Sequence, residues 1–352
     1  MNRIQFLDGL RGIAILLVIC FHSYTRWPKF VPYGYQFSDF YLFKYGYLGV
    51  QLFFLISGFV ILMSLEKNKT FIQFIYKRWL RLFPAMLIAT ILVYSTTQFL
   101  QERPSGIPEL NAIIPGLFFI EPSWIKTFLG IKINPLEGAF WSLFVEFKFY
   151  FIFGISYFLM GKIKAIAIIF MLFIIAIFAE FFQIKYLNTF SHLLSFEYFG
   201  WFTSGSLAYL YFVNNQFKYI SLCVLVSFIE MFKYLHDISA LLYFIFILAL
   251  FITPICFEKT RILFKNKLLL FFGLISYPLY LIHENALISL ICKTNQLGLP
   301  IPNLLIPILP VLVLCIISYV IVTYFEPFVS KTIQKIILKL PSKFVLFLIP
   351  KT

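Results

Sequence analysis

The chain has 352 residues, of which 61% are hydrophobic, 21% aromatic and only 12% charged. Soluble globular domains are nearer half apolar and a quarter charged, so this composition excludes a soluble enzyme. It also excludes an intrinsically disordered chain, because disorder requires low hydrophobicity. The stretches 163–179 and 304–322 are continuously apolar rather than alternating, which argues against a β-barrel and predicts an all-α polytopic membrane protein.

About ten segments of the sequence are long and apolar enough to cross a membrane. They are 8–25, 46–65, 84–101, 139–160, 163–184, 198–213, 217–234, 238–256, 268–292 and 303–325. Lys and Arg are roughly twice as frequent in the segments on the side of the two termini as in those on the opposite side. By the positive-inside rule, we therefore expect both termini to be cytoplasmic.

The net charge of +14 and the five cysteines carry little further information about partners. The positive charge follows the predicted topology rather than one binding face, so we expect no nucleic-acid partner. The cysteines have no pair spacing and no neighbouring histidines in a ligand pattern. We therefore expect neither a disulfide framework nor a metal site.

Two basic segments, 70–83 and 331–340, have the pattern of amphipathic helices that lie on the inner leaflet. The loop 102–138 on the outer side is rich in proline, and loops of that length are often functional. We predict one transmembrane domain over residues 1–330, followed by a basic amphipathic cytoplasmic tail over residues 331–352.

Ionisable side chains inside a membrane are costly, so each one within a predicted span is a functional candidate. These residues are Arg11, His22, Glu146, Lys148, Glu180, Glu230 and His283. Glu180 and Glu230 fall near helix ends, where a carboxylate reaches the headgroups. Lys148 has two ordinary interpretations, snorkelling to the interface or pairing with a carboxylate.

The spacing of Arg11 and His22 sets them apart from the other candidates. Eleven residues make about three helical turns, so both side chains lie on one stripe about 16 Å apart. From the helix rise, His22, Glu146 and His283 reach a similar depth, about 20 Å from the inner edge of the apolar core. We therefore expect these three groups, on three different helices, to share a site. An interhelical hydrogen-bond seam is the alternative interpretation.

Six sequence blocks, in order, resemble the membrane acyltransferase-3 family. The blocks are LDGLRGIAILLVICFH (7–22), YLGVQLFFLISGFVI (47–61), YKRWLRLFPA (76–85), WSLFVEFKFY (141–150), SYPLYLIHENAL (276–287) and FEP (325–327). The resemblance implies transfer of an acyl group, commonly acetyl, from cytosolic acyl-CoA to a hydroxyl on the far side of a bacterial inner membrane. The usual acceptors are envelope glycans, including lipopolysaccharide O-antigen, capsule and peptidoglycan, or their lipid-linked forms.

That chemistry assigns roles to particular side chains. His22 suits a general base or a transient acyl carrier, since imidazole titrates near neutral pH. Glu146 would orient it, and His283 or Tyr280 would donate to the oxyanion. The site of acetyl-CoA would be the arginine set of Arg11, Arg78 and Arg81, because guanidinium binds phosphate bidentately.

Two other functional classes remain open at the level of sequence. Buried charges in a bundle of about ten helices would also suit a glycan or lipid transporter or flippase. A non-catalytic subunit of a glycan-assembly complex is the third possibility. The arginines aligned with a buried histidine favour the acyltransferase.

Overall fold

The computed structural model describes residues 4–232 and 235–339, and the regular structure in these ranges is helical. The helices are α1 (Gln5–Phe21), α2 (Tyr41–Lys44), α3 (Gly49–Leu65), α4 (Phe71–Ser95), α5 (Ile113–Phe118), α6 (Pro122–Leu129), α7 (Trp141–Met160), α8 (Lys162–Phe181), α9 (Lys185–Leu194), α10 (Phe199–Asn214), α11 (Phe217–Met231), α12 (Ile238–Cys256), α13 (Lys267–Gln296), α14 (Ile308–Val320) and α15 (Glu326–Leu338). The predicted all-α polytopic class is confirmed.

Eight helical segments within the described ranges are long and apolar enough to span a membrane. They are Gln5–Arg26, Gly46–Leu65, Phe71–Ser95, Gly138–Met160, Lys162–Phe181, Ile238–Cys256, Lys267–Gln296 and Asn303–Leu338. The count becomes nine if Leu110–Phe118 and Pro122–Leu129, which meet at 107°, are taken as one broken span. The protein is therefore a multi-pass membrane protein.

The prediction of ten spans differs from this count at its sixth and seventh segments. The helices there, α10 and α11, have only 16 and 15 residues. At 1.5 Å per residue each is about 22–24 Å long, which is less than the ~30 Å apolar core. α10 ends where Asn215 adopts a left-handed conformation, with φ of 53°. The apolar pattern indicates that α10 and α11 are helices but does not show that they end too early to span the apolar core.

The interfacial helix predicted over 70–83 is not a separate element. α4 runs without interruption from Phe71 to Ser95 and contains Pro84. The basic segment and the predicted third span thus belong to one helix, because a proline within a helix bends it without necessarily ending it. In the predicted cytoplasmic tail, α15 begins before Lys331 and ends at Leu338. Residues 340–352 of that tail lie outside the described ranges.

The structure has two compact units, and the first contains α1, the loop 102–138 and α13. It comprises the described residues of Met1–Val50, Leu82–Trp141 and Leu263–Thr332. α1 and α13 pack together extensively. A Cβ added to Gly12 would collide with the carbonyl oxygen of Leu269, and one added to Gly273 would collide with that of Asp8. Glycine at these positions lets the two backbones approach closely.

The second unit comprises the described residues of Gln51–Arg81, Ser142–Ile262 and Ile333–Thr352. Its central helix is α10, which packs against α8, α11 and α12 and is buried over most of its length. A Cβ on Gly205 would meet the carbonyl oxygen of Leu55, so α3 also approaches α10 closely. Phe149 stacks on Phe202, with ring centroids 4.1 Å apart. The prediction of a single domain over residues 1–330 stays a prediction.

Candidate active site

His22 lies where the geometry of the first helix changes. α1 ends at Phe21, and residues His22–Arg26 form a π-helix. Such wide turns inside helices are frequent at functional sites, since they displace side chains from the ordinary helical register. The His22 side chain is 12% exposed. The ring is thus mostly buried but keeps some exposed surface.

His22 and His283 are in direct contact within the first unit. Nδ1 of His22 lies 3.3 Å from Nε2 of His283, and the rings meet edge to face with centroids 4.6 Å apart. His283 is completely buried in α13. The structure therefore brings together two of the predicted site residues, which come from opposite ends of the sequence.

The surrounding carbonyl oxygens fix which ring nitrogens carry protons. Nδ1 of His283 lies 2.9 Å from the Tyr280 carbonyl oxygen and must donate to it. Nε2 of His283 is then an acceptor, facing Nδ1 of His22. The His22 Nδ1–H also points at the Val18 carbonyl oxygen, 2.9 Å away. The hydrogen-bond network thus assigns the proton of His22 to Nδ1 and leaves Nε2 with a lone pair.

A carboxylate that the sequence analysis missed lies beside this lone pair. Oε1 of Glu284 is 3.8 Å from Nε2 of His22, and the Glu284 side chain is 5% exposed. Its other oxygen, Oε2, has no hydrogen-bond partner in the described part of the chain. Glu284 falls inside the predicted span 268–292, so the rule that selected the other ionisable residues applies to it as well.

Glu137, Arg103 and Asn285 form a second buried group in the same unit. Oε2 of Glu137 accepts from the side-chain nitrogen of Asn285 at 2.7 Å and from its backbone N–H at 3.2 Å. A guanidinium nitrogen of Arg103 lies 3.8 Å from Oε1 of Glu137 and donates to the Leu136 carbonyl. Sequence alone assigned Arg103 and Glu137 to an outer loop, so it gave no reason to expect their burial.

Glu137 immediately precedes the candidate span Gly138–Met160. Burial, reinforced by the neighbouring Glu284 carboxylate, raises the pKa of Glu137 to about 8. Arg103 and the two Asn285 donors act in the opposite direction but do not compensate for the lost hydration.

Tyr280 lies on the same helix as His283, three residues earlier. The two rings have centroids 5.5 Å apart, and Tyr280 is buried. Ser276, four residues before Tyr280, donates to the Gly273 carbonyl within its own helix. Tyr280 thus lies near His283, while the Ser276 hydroxyl is bound to the backbone.

Arg11 is partly buried and paired. Its guanidinium contacts the Asp8 carboxylate at 3.0 Å, with 17% of the Arg11 side chain exposed. Asp8 precedes Arg11 by three residues, so this is a pair within one helix face. The pair orients the guanidinium on α1.

Glu146 belongs to the second unit, where it takes part in a network of hydrogen-bonded side chains. It accepts from the Ser57 hydroxyl and from that of Tyr150. Arg78 also hydrogen-bonds Tyr150 and donates to the Ser64 hydroxyl at 2.8 Å. Arg78 is thus engaged with neighbouring side chains.

Arg81 has a different environment from Arg78. Its side chain is exposed on α4, one turn further along the same helix. Of the two predicted phosphate ligands on this helix, Arg81 is the more open to a ligand.

The remaining ionisable candidates within the predicted spans lie outside the histidine cluster. Lys148 is buried and donates to the Ser195 hydroxyl at 2.8 Å. Glu230 is fully buried against Gly200, so the expectation that it reaches the headgroups is wrong. Glu180 is exposed, in agreement with that expectation.

Comparison with known proteins identifies the family. The model of the acyltransferase-3 family, described as an acyltransferase domain, matches residues 4–326. The chain belongs to this family. It is similar to the peptidoglycan O-acetyltransferase OatA of Listeria monocytogenes, with 30% identity over 159 residues, or 42% of this chain and 23% of the relative. It is also similar to the O-acetyltransferase OatA of Staphylococcus aureus strain NCTC 8325, with 31% identity over 184 residues.

The second alignment covers 49% of this chain and 28% of the relative. The chain therefore matches about a quarter of the length of these curated relatives. No solved structure matches it significantly.

Proposed function

We propose that the protein is a membrane O-acyltransferase of the bacterial inner membrane. It would move an acyl group, most simply acetyl, from cytosolic acetyl-CoA to a hydroxyl of an envelope glycan or a lipid-linked glycan. The observation that carries this proposal is the His22–His283 contact, which leaves the lone pair on Nε2 of a partly accessible imidazole. The name of the Listeria relative is consistent with a glycan acceptor.

In the proposed reaction, Nε2 of His22 takes the proton of the acceptor hydroxyl as the oxygen attacks the thioester carbonyl carbon. The tetrahedral intermediate then collapses with cleavage of the carbon–sulfur bond. The His22 imidazolium returns its proton to the leaving thiolate, so the products are the ester and free CoA. The histidine is regenerated without net proton change.

Tyr280 is the proposed donor to the oxyanion. Of the two groups that the sequence left open, His283 donates its one ring proton from Nδ1 to the Tyr280 carbonyl oxygen, and its Nε2 accepts from His22. A neutral His283 in this arrangement has no proton to offer. The phenol of Tyr280, whose ring centroid lies 5.5 Å from that of His283, would supply that hydrogen bond.

The donor's phosphates would be bound by arginines on the cytosolic side. Arg11, held by Asp8, and Arg81, which is exposed, have guanidinium groups able to contact phosphate. Arg78 would act indirectly in this scheme, since it is bound to Ser64 and Tyr150. Membrane lipid, acetyl-CoA and the glycan acceptor are thus the proposed partners.

The test is acetyl transfer by the purified protein in lipid nanodiscs, with labelled acetyl-CoA and fragments of envelope glycan as acceptors. The wild type should release CoA and label the glycan, and His22→Ala should lower this rate at least about 10³-fold. His192→Ala is the matched control, because His192 is exposed in the second unit. Movement of an unmodified glycan without CoA release would overturn the proposal in favour of a transporter.

A non-catalytic role in glycan assembly makes a separate prediction in cells. Under that alternative, strains carrying Arg11→Ala or His22→Ala would keep wild-type glycan acetylation. Mass analysis of the surface glycans distinguishes the two outcomes, since an acetyltransferase variant should lose the acetyl mass increment.

A further inference from the structure

Among the described residues, no lysine or arginine forms an ion pair with the buried Glu284 carboxylate. It lies in α13 directly after His283, with Oε1 at 3.8 Å from Nε2 of His22 and Oε2 without a hydrogen bond among the described residues. The nearby guanidinium of Arg103 is placed against Glu137 instead. Burying a carboxylate without an ion-pair partner costs free energy. We therefore expect the imidazole beside it to provide a compensating interaction in one of its protonation states.

That interaction appears only when His22 is protonated. In the neutral ring, Nε2 carries a lone pair, which cannot bond to a carboxylate oxygen. When Nε2 takes the acceptor's proton, the ring gains a positive charge beside the Glu284 carboxylate, whose Oε1 lies 3.8 Å from Nε2. An interaction that exists in the charged state and not in the resting state lowers the barrier, rather than merely strengthening substrate binding.

On these grounds we infer that Glu284 is the positioning residue of His22, the counter-ion for the imidazolium formed during acyl transfer. The inference rests on the proposed function for the identity of the proton donor. It assigns to Glu284 the orienting role that the sequence predicts for Glu146. Glu284 itself touches neither acyl donor nor acceptor in this scheme, since it acts through His22.

The neighbouring residues explain how the Glu284 carboxylate is held in place. Asn285, the next residue, is bound to Glu137 through both its backbone and its side chain. Gly138, the residue after Glu137, is packed against the Glu284 carboxylate, where an added Cβ would lie 2.6 Å from Oε2. The Ser105 backbone N–H donates to Asn285 at 3.0 Å. These contacts fix the backbone on both sides of the carboxylate.

The first test separates kcat from KM in the nanodisc assay. Glu284→Gln should lower kcat about 10- to 100-fold and leave KM for acetyl-CoA within about twofold, because only the charged state loses its partner. Glu284→Asp, which keeps the carboxylate, should recover part of the rate. A purely structural role would instead predict similar losses in both variants, together with a lower unfolding temperature.

Glu197→Gln is a matched control. Glu197 contacts His192 at 3.0 Å in the second unit, so this variant also removes a carboxylate from a histidine. It should leave both kinetic parameters unchanged. An equal loss of kcat in Glu197→Gln would overturn the assignment to Glu284.

A second measurement needs no turnover. The chain has four histidines, so protein labelled with ¹⁵N in its imidazoles gives four sets of signals, assignable by single substitutions. Between about pH 4 and pH 7, a larger fraction of His22 should carry both ring protons in the wild type and in Glu284→Asp than in Glu284→Gln. Identical fractions in all three proteins would overturn the inference, even if acetyl transfer is observed. A shifted fraction without any acetyl transfer would support the Glu284–His22 pair and reject the proposed function.

Discussion

Nδ1 of His22 and Nε2 of His283 lie 3.3 Å apart, although 261 positions of sequence separate the two residues. Only one hydrogen can occupy this short N···N contact, and the carbonyl oxygen of Tyr280 determines that it belongs to His22. His283 therefore acts as a fixed acceptor behind His22. Its expected effect is to orient the His22 ring, whose Nε2 is the proposed general base.

Replacement of His283 tests this orienting role. His283→Gln keeps an acceptor within reach of His22, whereas His283→Leu removes it. We expect His283→Leu to lower kcat at least about 10-fold with little change in KM, and His283→Gln to retain more of the rate. Steady-state kinetics of acetyl transfer provide the measurement. Equal activity of the leucine variant and the wild type would contradict the role.

Gly138→Ala should displace the Glu284 carboxylate by steric overlap, without changing any charged group. The added Cβ would lie 2.6 Å from Oε2 and 2.9 Å from Oε1 of Glu284, so the carboxylate has to move. We expect a loss of about 1–3 kcal/mol in the free energy of unfolding, accompanied by a lower kcat. Gly116→Ala is the control, since its Cβ would meet a Phe140 ring carbon at 3.2 Å in the same unit. If the control loses as much kcat as Gly138→Ala, the effect is not specific to Glu284.

The raised pKa of Glu137 predicts a pH-dependent stability. The folded protein keeps the Glu137 proton up to about pH 8, whereas the unfolded chain loses it near pH 4.5. The stabilisation is thus complete below pH 4.5 and is lost as pH rises to about 8, with a slope of at most about 1.4 kcal/mol per pH unit.

Unfolding temperatures in detergent between these pH values measure that loss. Glu137→Gln mimics the protonated acid and should flatten the decline. The control Glu109→Gln removes an exposed carboxylate from the same loop and should leave the decline as it is. A wild-type profile that matches that of Glu137→Gln would show that Glu137 does not hold its proton.

Arg81 and Arg78 should respond differently to truncation, because their surroundings differ. Arg81→Ala should raise KM for acetyl-CoA about 10-fold with an unchanged unfolding temperature, as expected for an exposed phosphate ligand. Arg78→Ala should lower the unfolding temperature, since the hydroxyls of Ser64 and Tyr150 lose a donor. The neighbouring exposed Lys77 offers a charge-matched control. If Lys77→Ala raises KM equally, general electrostatic attraction explains the effect.

The helices of the first unit and the depth of its two histidines could be predicted from the sequence. Apolar length predicted the helices, and the helix rise placed His22 and His283 at one depth, which agrees with their contact. These arguments succeed because membrane helices are regular and must match a known thickness. The continuity of α4 through Pro84 was not predictable in the same way, because a proline can either bend a helix or end it.

The residues around His22 were harder to predict. Glu137 and Arg103 come from a segment whose sequence resembles a polar loop, and only tertiary packing buries them beside Asn285. Glu284 is an acid within a predicted span and so met the criterion for a functional candidate. Its position next to His283 in the sequence did not show that its side chain would lie beside His22 on α1. Contacts of this kind depend on helix rotation, which apolar patterning determines only coarsely when a helix is buried on most sides.

The close packing of α1 against α13 has a consequence for biosynthesis. The ribosome completes α13 about 14–55 seconds after α1, at roughly 5–20 residues per second. Until then, Gly12 and His22 have no Leu269 or His283 to meet, and the paired histidines do not exist. A nascent or truncated chain that lacks α13 is consequently unable to assemble this centre. The order of synthesis thus delays the His22–His283 contact until the 261 positions that separate the two residues have been translated.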